Sequence, residues 1–268
     1  MEIKDKVFVV TGGGNGIGRG VVLHLLANGA SVYALDINEK GLDETQALAG
    51  DMTDQLACEV CDVTDREHIE TLPQKVSKKF GRVDGIINVA GIIQPFVKLN
   101  DLAYEKIEKI FNINFFGTLY MTKTFLPVLL KNESTSSIVN IGSMAGFVPY
   151  PRQSIYGASK AAVKMLTESL YSETKDTNVK VSIVSPGAVA TDITKNSGAE
   201  LKMKAGVKVK PMKMLSVDET ADIILDAIRK EKYKVLAGKD SKTMDIFYRI
   251  APKKAIHTIS KALNSYFD

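Results

Sequence analysis

The chain has no tryptophan, only two cysteines and only three histidines. Each scarcity removes a class of chemistry. Cys58 and Cys61 form a lone C-x-x-C with no second pair, so a four-cysteine zinc site cannot be assembled. They sit in Leu56-Ala57-Cys58-Glu59-Val60-Cys61, which reads as a strand, and residues three apart on a strand point to opposite faces. His24 and His68 fall in helical patterns, and no metal is expected. No stretch approaches the roughly 18 apolar residues that suggest a membrane span. Met1-Glu2-Ile3-Lys4-Asp5-Lys6-Val7 carries charges where a secretory leader needs apolar residues, so a cytoplasmic protein is expected. Asn132-Glu133-Ser134 then reads as a chance sequon. General basicity is also lacking. The formal net charge is +4, yet residues 195–213 alone hold six lysines (195, 202, 204, 208, 210 and 213) against one acid, Glu200. Elsewhere acids and bases nearly balance, so no wide basic face for nucleic acid is predicted.

What is present is a rhythm of short apolar runs and helical patterns. Strands are predicted at 7–10, 31–36, 55–61, 83–88, 137–142, 179–185 and 232–236. Helices are predicted after the first glycines and at 38–48, 65–79, 101–130, 152–174 and 216–229, the last opened by a capping box, Ser216-Val217-Asp218-Glu219. Strand–helix alternation predicts an α/β fold, a parallel seven-stranded sheet with helices on both faces, doubly wound in the Rossmann manner. With no repeat or linker, one domain is expected over 1–239, followed by a helical extension, 240–268. In that extension Ile256, Ile259, Leu263 and Tyr266 recur at helical spacing with Lys254, His257 and Lys261 between them.

Thr11-Gly12-Gly13-Gly14-Asn15-Gly16-Ile17-Gly18 lies between the first strand and the first helix. Glycines there let backbone N–H groups approach a pyrophosphate, and the helix N-terminus favours its charge. Asp36 ends the second strand, 18 residues beyond Gly18, where a carboxylate can accept hydrogen bonds from an adenosine ribose. It would repel a 2′-phosphate. Ile37 and Asn38 follow it and Asn15 precedes Gly16, with no basic residue at any of these positions, so NAD is predicted over NADP.

Tyr156-Gly157-Ala158-Ser159-Lys160 begins a helical pattern, and residues four apart share a face. Lys160 can therefore approach the Tyr156 hydroxyl. A cation about 4 Å away is worth roughly 4 kcal/mol at an effective dielectric near 20. That is enough to draw a phenol of pKa about 10 toward neutrality.

These motifs, in this order, resemble the short-chain dehydrogenase/reductase family over roughly residues 4–238. Gly12, Gly16 and Gly18 match its glycine motif, and Asp62-Val63 its adenine-side pair. Asn88-Val89-Ala90-Gly91 matches N-N-A-G with the second Asn replaced by Val. Asn114 matches the structural and proton-relay Asn, and Ser143 the catalytic Ser. Tyr156 and Lys160 match Y-x-x-x-K, and Pro186-Gly187-Ala188-Val189-Ala190-Thr191 matches P-G-x-V-x-T beside the nicotinamide. The resemblance implies hydride exchange between NAD(H) and an alcohol or carbonyl carbon. Tyr156 would be general acid and base, Lys160 would hold the ribose and depress the Tyr156 pKa, and Ser143 would bind the substrate oxygen. Asn114 would keep a water in line to Lys160, and Gln153 would join Ser143 and Tyr156 on the substrate side. It also implies a lid at 192–215 and a homotetramer or homodimer built through 101–130 and 152–174, where Ala158, Ala161 and Ala162 permit close packing. The lid lysines read either as a solvated face or as recognition of an anionic group such as a carboxylate or a phosphate-bearing acyl carrier. The extension reads as a cover for the substrate mouth or subunit interface, with a membrane surface as the less favoured alternative. Other functions on the same fold are a non-catalytic NAD sensor and a sugar-nucleotide epimerase.

Overall fold

In the computed structural model, which describes residues 1–199 and 214–264, each predicted apolar run becomes a strand. These are β1 (Val7–Thr11), β2 (Ser31–Asp36), β3 (Leu56–Val60), β4 (Gly85–Asn88), β5 (Ser136–Ile141), β6 (Val179–Pro186) and β7 (Lys234–Ala237). All pair in parallel, in the order β3-β2-β1-β4-β5-β6-β7. The helices are α1 (Gly16–Ala27), α2 (Glu39–Ala49), α3 (Arg66–Phe80), α4 (Tyr104–Phe111), α5 (Thr118–Leu129), α6 (Ser154–Thr174), the short α7 (Ile193–Asn196), α8 (Val217–Arg229), α9 (Lys239–Ile250) and α10 (Pro252–Asn264).

The period of two along each strand divides the core into two layers. Phe8 and Val10 face Val21 and Leu25 of α1 and Ile224 and Ile228 of α8. Val7 and Val9 face Ile69 and Leu72 of α3 and Met121 and Phe125 of α5. The two cysteines divide in the same way, Cys58 packing on the first layer and Cys61 within the second. Burial raises their thiols to about 11 and about 12, so neither is a thiolate at neutral pH. The capping box forms: Ser216 Oγ accepts from Glu219 N at 3.0 Å, and Glu219 Oε2 accepts from Ser216 N at 2.8 Å. Winding reverses between β1 and β4, which opens a crevice above the carboxyl ends of these strands.

Three features depart from the sequence pattern. The single helix expected over 101–130 is split into α4 and α5 by a π-helical segment, Asn112–Gly117. Gly117 at its end packs against Val63, where an added Cβ would meet Val63 Cγ2 at 2.7 Å. In the extension, Ile256, Ile259 and Leu263 share one face of α10 as their spacing predicts, but it is Ile259 with Ala255 that is buried while Ile256 stays partly exposed. Tyr266, Lys202, Lys204, Lys208, Lys210 and Lys213 lie outside the described residues. The third departure is Asn88, expected beside the cofactor. Its Nδ2 donates to Asn140 Oδ1 at 2.8 Å and to Thr122 Oγ1 at 3.3 Å, inside the core. Asn140 Nδ2 in turn donates to Thr167 Oγ1 at 2.9 Å. This buried polar ladder ties β4 to β5, α5 and α6. Asn140→Ala removes the best acceptor of a buried amide and is expected to lower stability by about 2 kcal/mol. Urea unfolding reads this as a lower midpoint at unchanged slope.

Candidate active site

The glycine loop is built by close contact. A Cβ on Gly18 would lie 2.0 Å from the Gly12 carbonyl oxygen, so only glycine lets α1 begin against the loop. Asn15 caps α1 with its side chain. Thr11 Oγ1 accepts from Val89 N and Ala90 N at 3.0 and 3.1 Å, which joins the ends of β1 and β4 under the loop. Arg19 holds the loop from outside. Its guanidinium bonds the Gly14 carbonyl, Gly41 O at 3.1 Å, Glu44 at 2.8 Å and Thr45 Oγ1 at 3.0 Å. Asp36 Oδ2 accepts from Gly14 N and Oδ1 from Asn38 N, both at 2.9 Å, which fixes the carboxyl group at the rim.

These groups border a cleft of about 690 Å³. Of the residues expected to bind cofactor, Gly12, Asn15, Gly16, Ile17, Gly18, Asp36, Asp62, Val63, Ala90, Gly91 and Thr191 line it. Val89, which replaces the second Asn of the family motif, lines it as well. Asn88, Pro186, Gly187, Val189, Tyr156 and Lys160 do not. Asp62 is held by Thr64, whose N and Oγ1 both donate to Asp62 Oδ1 at 2.8 Å. The side of the cleft formed by α4, including Glu105, Glu108 and Lys109, carries no motif and was not legible in the sequence.

Helix α6 presents Tyr156 and Lys160. The Ser143 hydroxyl lies on the Tyr156 phenol and favours its ionised form. Lys160 is buried and its Nζ donates to Ile141 O at 2.9 Å. Burial raises the Tyr156 pKa above the ordinary phenol value, and the bond to Ser143 offsets this only in part. Burial lowers Lys160 to about 8. Burial leads the shift at both groups and no attraction between them offsets it, so the expected lowering of Tyr156 by Lys160 is not found here. Asn114 and Lys160 both face Gly91, where an added Cβ would meet Asn114 Oδ1 at 3.1 Å and Lys160 Nζ at 3.3 Å. The Asn114 side chain is buried on protein partners, accepting from Ile92 N at 2.9 Å and donating to Ile92 O at 3.0 Å and Ser159 Oγ at 2.9 Å. The π-helical turn aims it there, and Asn114 thereby ties the loop after β4 to α6. Gln153, expected on the substrate side, is 7% exposed, and its Nε2 donates to Gln94 O at 2.7 Å.

Pro186 and Gly187 are positioned by the extension. Ala188 N donates to Asp240 Oδ2 at 2.8 Å, and Ser241 Oγ donates to Ser185 O at 3.0 Å. A Cβ on Gly187 would meet Asp240 Oδ2 at 2.1 Å, so glycine is what admits this carboxylate. Burial, and secondarily Asp240, pushes Tyr150 up to about 12. Arg19, Gln94 and Asp240 were all missed in the sequence, because their partners are distant in the chain or are backbone groups without a signature.

The sequence pattern of the short chain dehydrogenase family matches residues 6–202. The 3-oxoacyl-(acyl-carrier-protein) reductase FabG of Thermotoga maritima is 31% identical over 225 residues, 84% of this chain and 91% of that protein. A short chain dehydrogenase/reductase from Burkholderia phymatum, solved in complex with NAD, superposes with a TM-score of 0.83 at 23% identity, covering 94% of this chain and 96% of that one. A short chain dehydrogenase from Burkholderia cenocepacia, solved in complex with NADP, superposes with a TM-score of 0.78 at 26% identity, covering 96% of this chain and 98% of that one. With the glycine loop, the parallel sheet and the Ser143, Tyr156 and Lys160 cluster in place, the chain belongs to the short-chain dehydrogenase/reductase family of oxidoreductases.

Proposed function

We propose that the protein is an NAD(H)-dependent oxidoreductase that interconverts a secondary alcohol and a ketone, or a primary alcohol and an aldehyde. The observation that carries this is Ser143 paired with Tyr156, on the helix that also bears Lys160, in a fold whose cleft is lined by the glycine loop and Asp36. The groups present fit the cofactor. The loop offers backbone N–H groups at the start of α1, and Asp36 stands where a ribose would end. When bound, the dinucleotide supplies or accepts the hydride.

The chain's own residues handle the proton and the oxygen. Tyr156 gives its proton to the carbonyl oxygen in reduction and takes it back in oxidation. Ser143 donates to the same oxygen, where charge develops. Lys160 holds the ribose and provides the cation facing the phenolate left behind. Since the lysine is lowered to about 8, its ammonium is lost as pH rises through that value. Reduction needs both a protonated Tyr156 and a charged Lys160. Its kcat/KM is therefore expected to be level below pH about 8 and to fall above it, in a profile that reports the free enzyme. A kcat/KM that rises from pH about 8 upward would contradict this assignment.

The proposal extends to a homo-oligomer through α4, the π-helical segment, α5 and α6, whose outward side chains include Tyr104, Phe116, Met165 and Tyr171. Among the described residues no helix is long and apolar enough to cross a membrane. An acyl-carrier substrate is supported by the 195–213 lysines and by the resemblance to FabG. The test is NADH and NADPH consumption with a panel of 3-oxoacyl thioesters, steroids, retinoids, small keto acids and sugars, and NAD-driven oxidation of the matching alcohols. NAD(H)-dependent turnover of a carbonyl supports the reading and names the substrate class. Tight NADH binding without turnover of any compound would instead favour a cofactor-binding protein without catalysis.

A further inference from the structure

Helix α6 begins without a cap of its own. Gln153, at its N-cap position, makes no side-chain bond to the helix. An N-cap side chain ordinarily satisfies the N–H of the second or third helical residue, which here are Ile155 and Tyr156. Both donate instead to Gln94 Oε1, at 2.8 and 3.4 Å. Gln94 is fully buried, and it lies in the loop after β4, three residues beyond the Gly91 of the cofactor cleft. Its orientation is not interchangeable. Nε2 faces the Val97 carbonyl at 3.3 Å, so Oε1 must be the end that meets the helix. The Gln94 backbone carbonyl in turn receives Gln153 Nε2 at 2.7 Å, which turns the natural cap residue away from its own helix.

We propose that Gln94 is a positioning residue that caps α6 from outside the helix and so fixes Tyr156 against Ser143 and the cofactor cleft. Asn114 ties the same loop to the same helix a turn later, through Ile92 and Ser159. Loop 91–94 and the first turns of α6 therefore form one unit, with the cofactor on one side and the phenol on the other. The side chain touches neither substrate nor cofactor. It acts through the backbone of the residue that carries the phenol. The inference rests on Tyr156 being the proton-transfer group of the proposed oxidoreductase.

The test compares Gln94→Leu, Gln94→Asn and Gln94→Glu with the wild type and Tyr156→Phe, reading kcat, carbonyl KM, NADH affinity and thermal stability. Leu removes the acceptor and Asn withdraws it by one methylene. A small misplacement of a reacting group costs up to about 100-fold, so kcat is expected to fall by about 10- to 100-fold in both. NADH affinity should stay within about twofold, because Gln94 does not reach the glycine loop. Glu keeps the acceptor and, protonated in this fully buried position, donates to the Val97 carbonyl in place of Nε2, so it should restore most of kcat at low pH. Should Leu fail to fold, Asn and Glu still decide the matter. Ultraviolet titration of the Tyr156 phenol, by difference from Tyr156→Phe, provides a readout independent of turnover. In Leu and Asn it should move to higher pH as the phenol leaves Ser143. The proposal is overturned if folded Leu or Asn variants keep kcat within about twofold and leave the phenol titration in place. It is also overturned if kcat and NADH affinity fall together with melting temperature. If Tyr156→Phe is inactive while the Gln94 variants are unaffected, only the positioning role fails. If Tyr156→Phe stays active, the proposed function fails with it.

Discussion

Replacing Tyr156 by Phe is expected to lower turnover by about 100- to 10,000-fold while leaving NADH binding within about twofold of the wild type. The substitution deletes one oxygen. The backbone of residue 156 keeps its bond to Gln94, and Lys160 keeps its bond to the Ile141 carbonyl, so the helix and the fold remain in place. What is lost is the only group in the cluster able both to give a proton to a carbonyl oxygen and to recover it. Ser143 can donate a hydrogen bond, but among the described residues no other side chain is paired with it to receive its proton. Lys160 is engaged with a carbonyl and turned away from that task. The loss should be level across neutral pH, where burial keeps Tyr156 protonated, and should shrink only where the wild-type phenol ionises. Stopped-flow turnover and NADH fluorescence titration on one preparation measure both quantities. Activity within tenfold of the wild type would remove Tyr156 from the mechanism.

The second large effect concerns cofactor choice. The wild type is expected to prefer NAD over NADP, and Asp36→Ser combined with Ile37→Arg is expected to shift the ratio of kcat/KM values by about 100-fold or more toward NADP. A 2′-phosphate would have to sit against a carboxylate held in place by Gly14 N and Asn38 N. At an effective dielectric near 20, like charges about 4 Å apart repel by roughly 4 kcal/mol, and exposure at the rim reduces this to about 2–3 kcal/mol. Each 1.4 kcal/mol is about tenfold. Arg19, the arginine of α1, already spends its donors on Gly14, Gly41, Glu44 and Thr45. Ile37 is 67% exposed, so an arginine there disturbs no packing and can offer a planar fork to phosphate. Steady-state kinetics with both cofactors settle the ratio. A ratio unchanged by the double substitution would show that Asp36 does not read the ribose.

Much of this protein is written in features that act over a few residues. Short apolar runs sufficed for all seven strands, because a strand buried on both faces has little other composition open to it. The glycine loop, the Ser216–Glu219 capping box and the Tyr156–Lys160 spacing are legible for the same reason: each is a contact between near neighbours in the chain. The division of Cys58 and Cys61 between the two core layers followed from strand geometry alone.

The tertiary structure decided what depends on groups brought together from afar. The expected helix over 101–130 carries a π-helical turn because Asn114 must reach Ile92 and Ser159, a demand invisible in helical periodicity. Asn88 went to the core because Asn140 and Thr122 offered acceptors in place of solvent. Gln94 became the cap of a helix 61 residues downstream, and Asp240 of the extension took hold of the loop after β6. The proton affinities of Tyr156 and Lys160 were decided there too. Spacing on a helix says that a cation is near a phenol, but only the completed fold sets how much water is excluded from both. Desolvation then moves each group opposite to the direction that pair attraction alone would give.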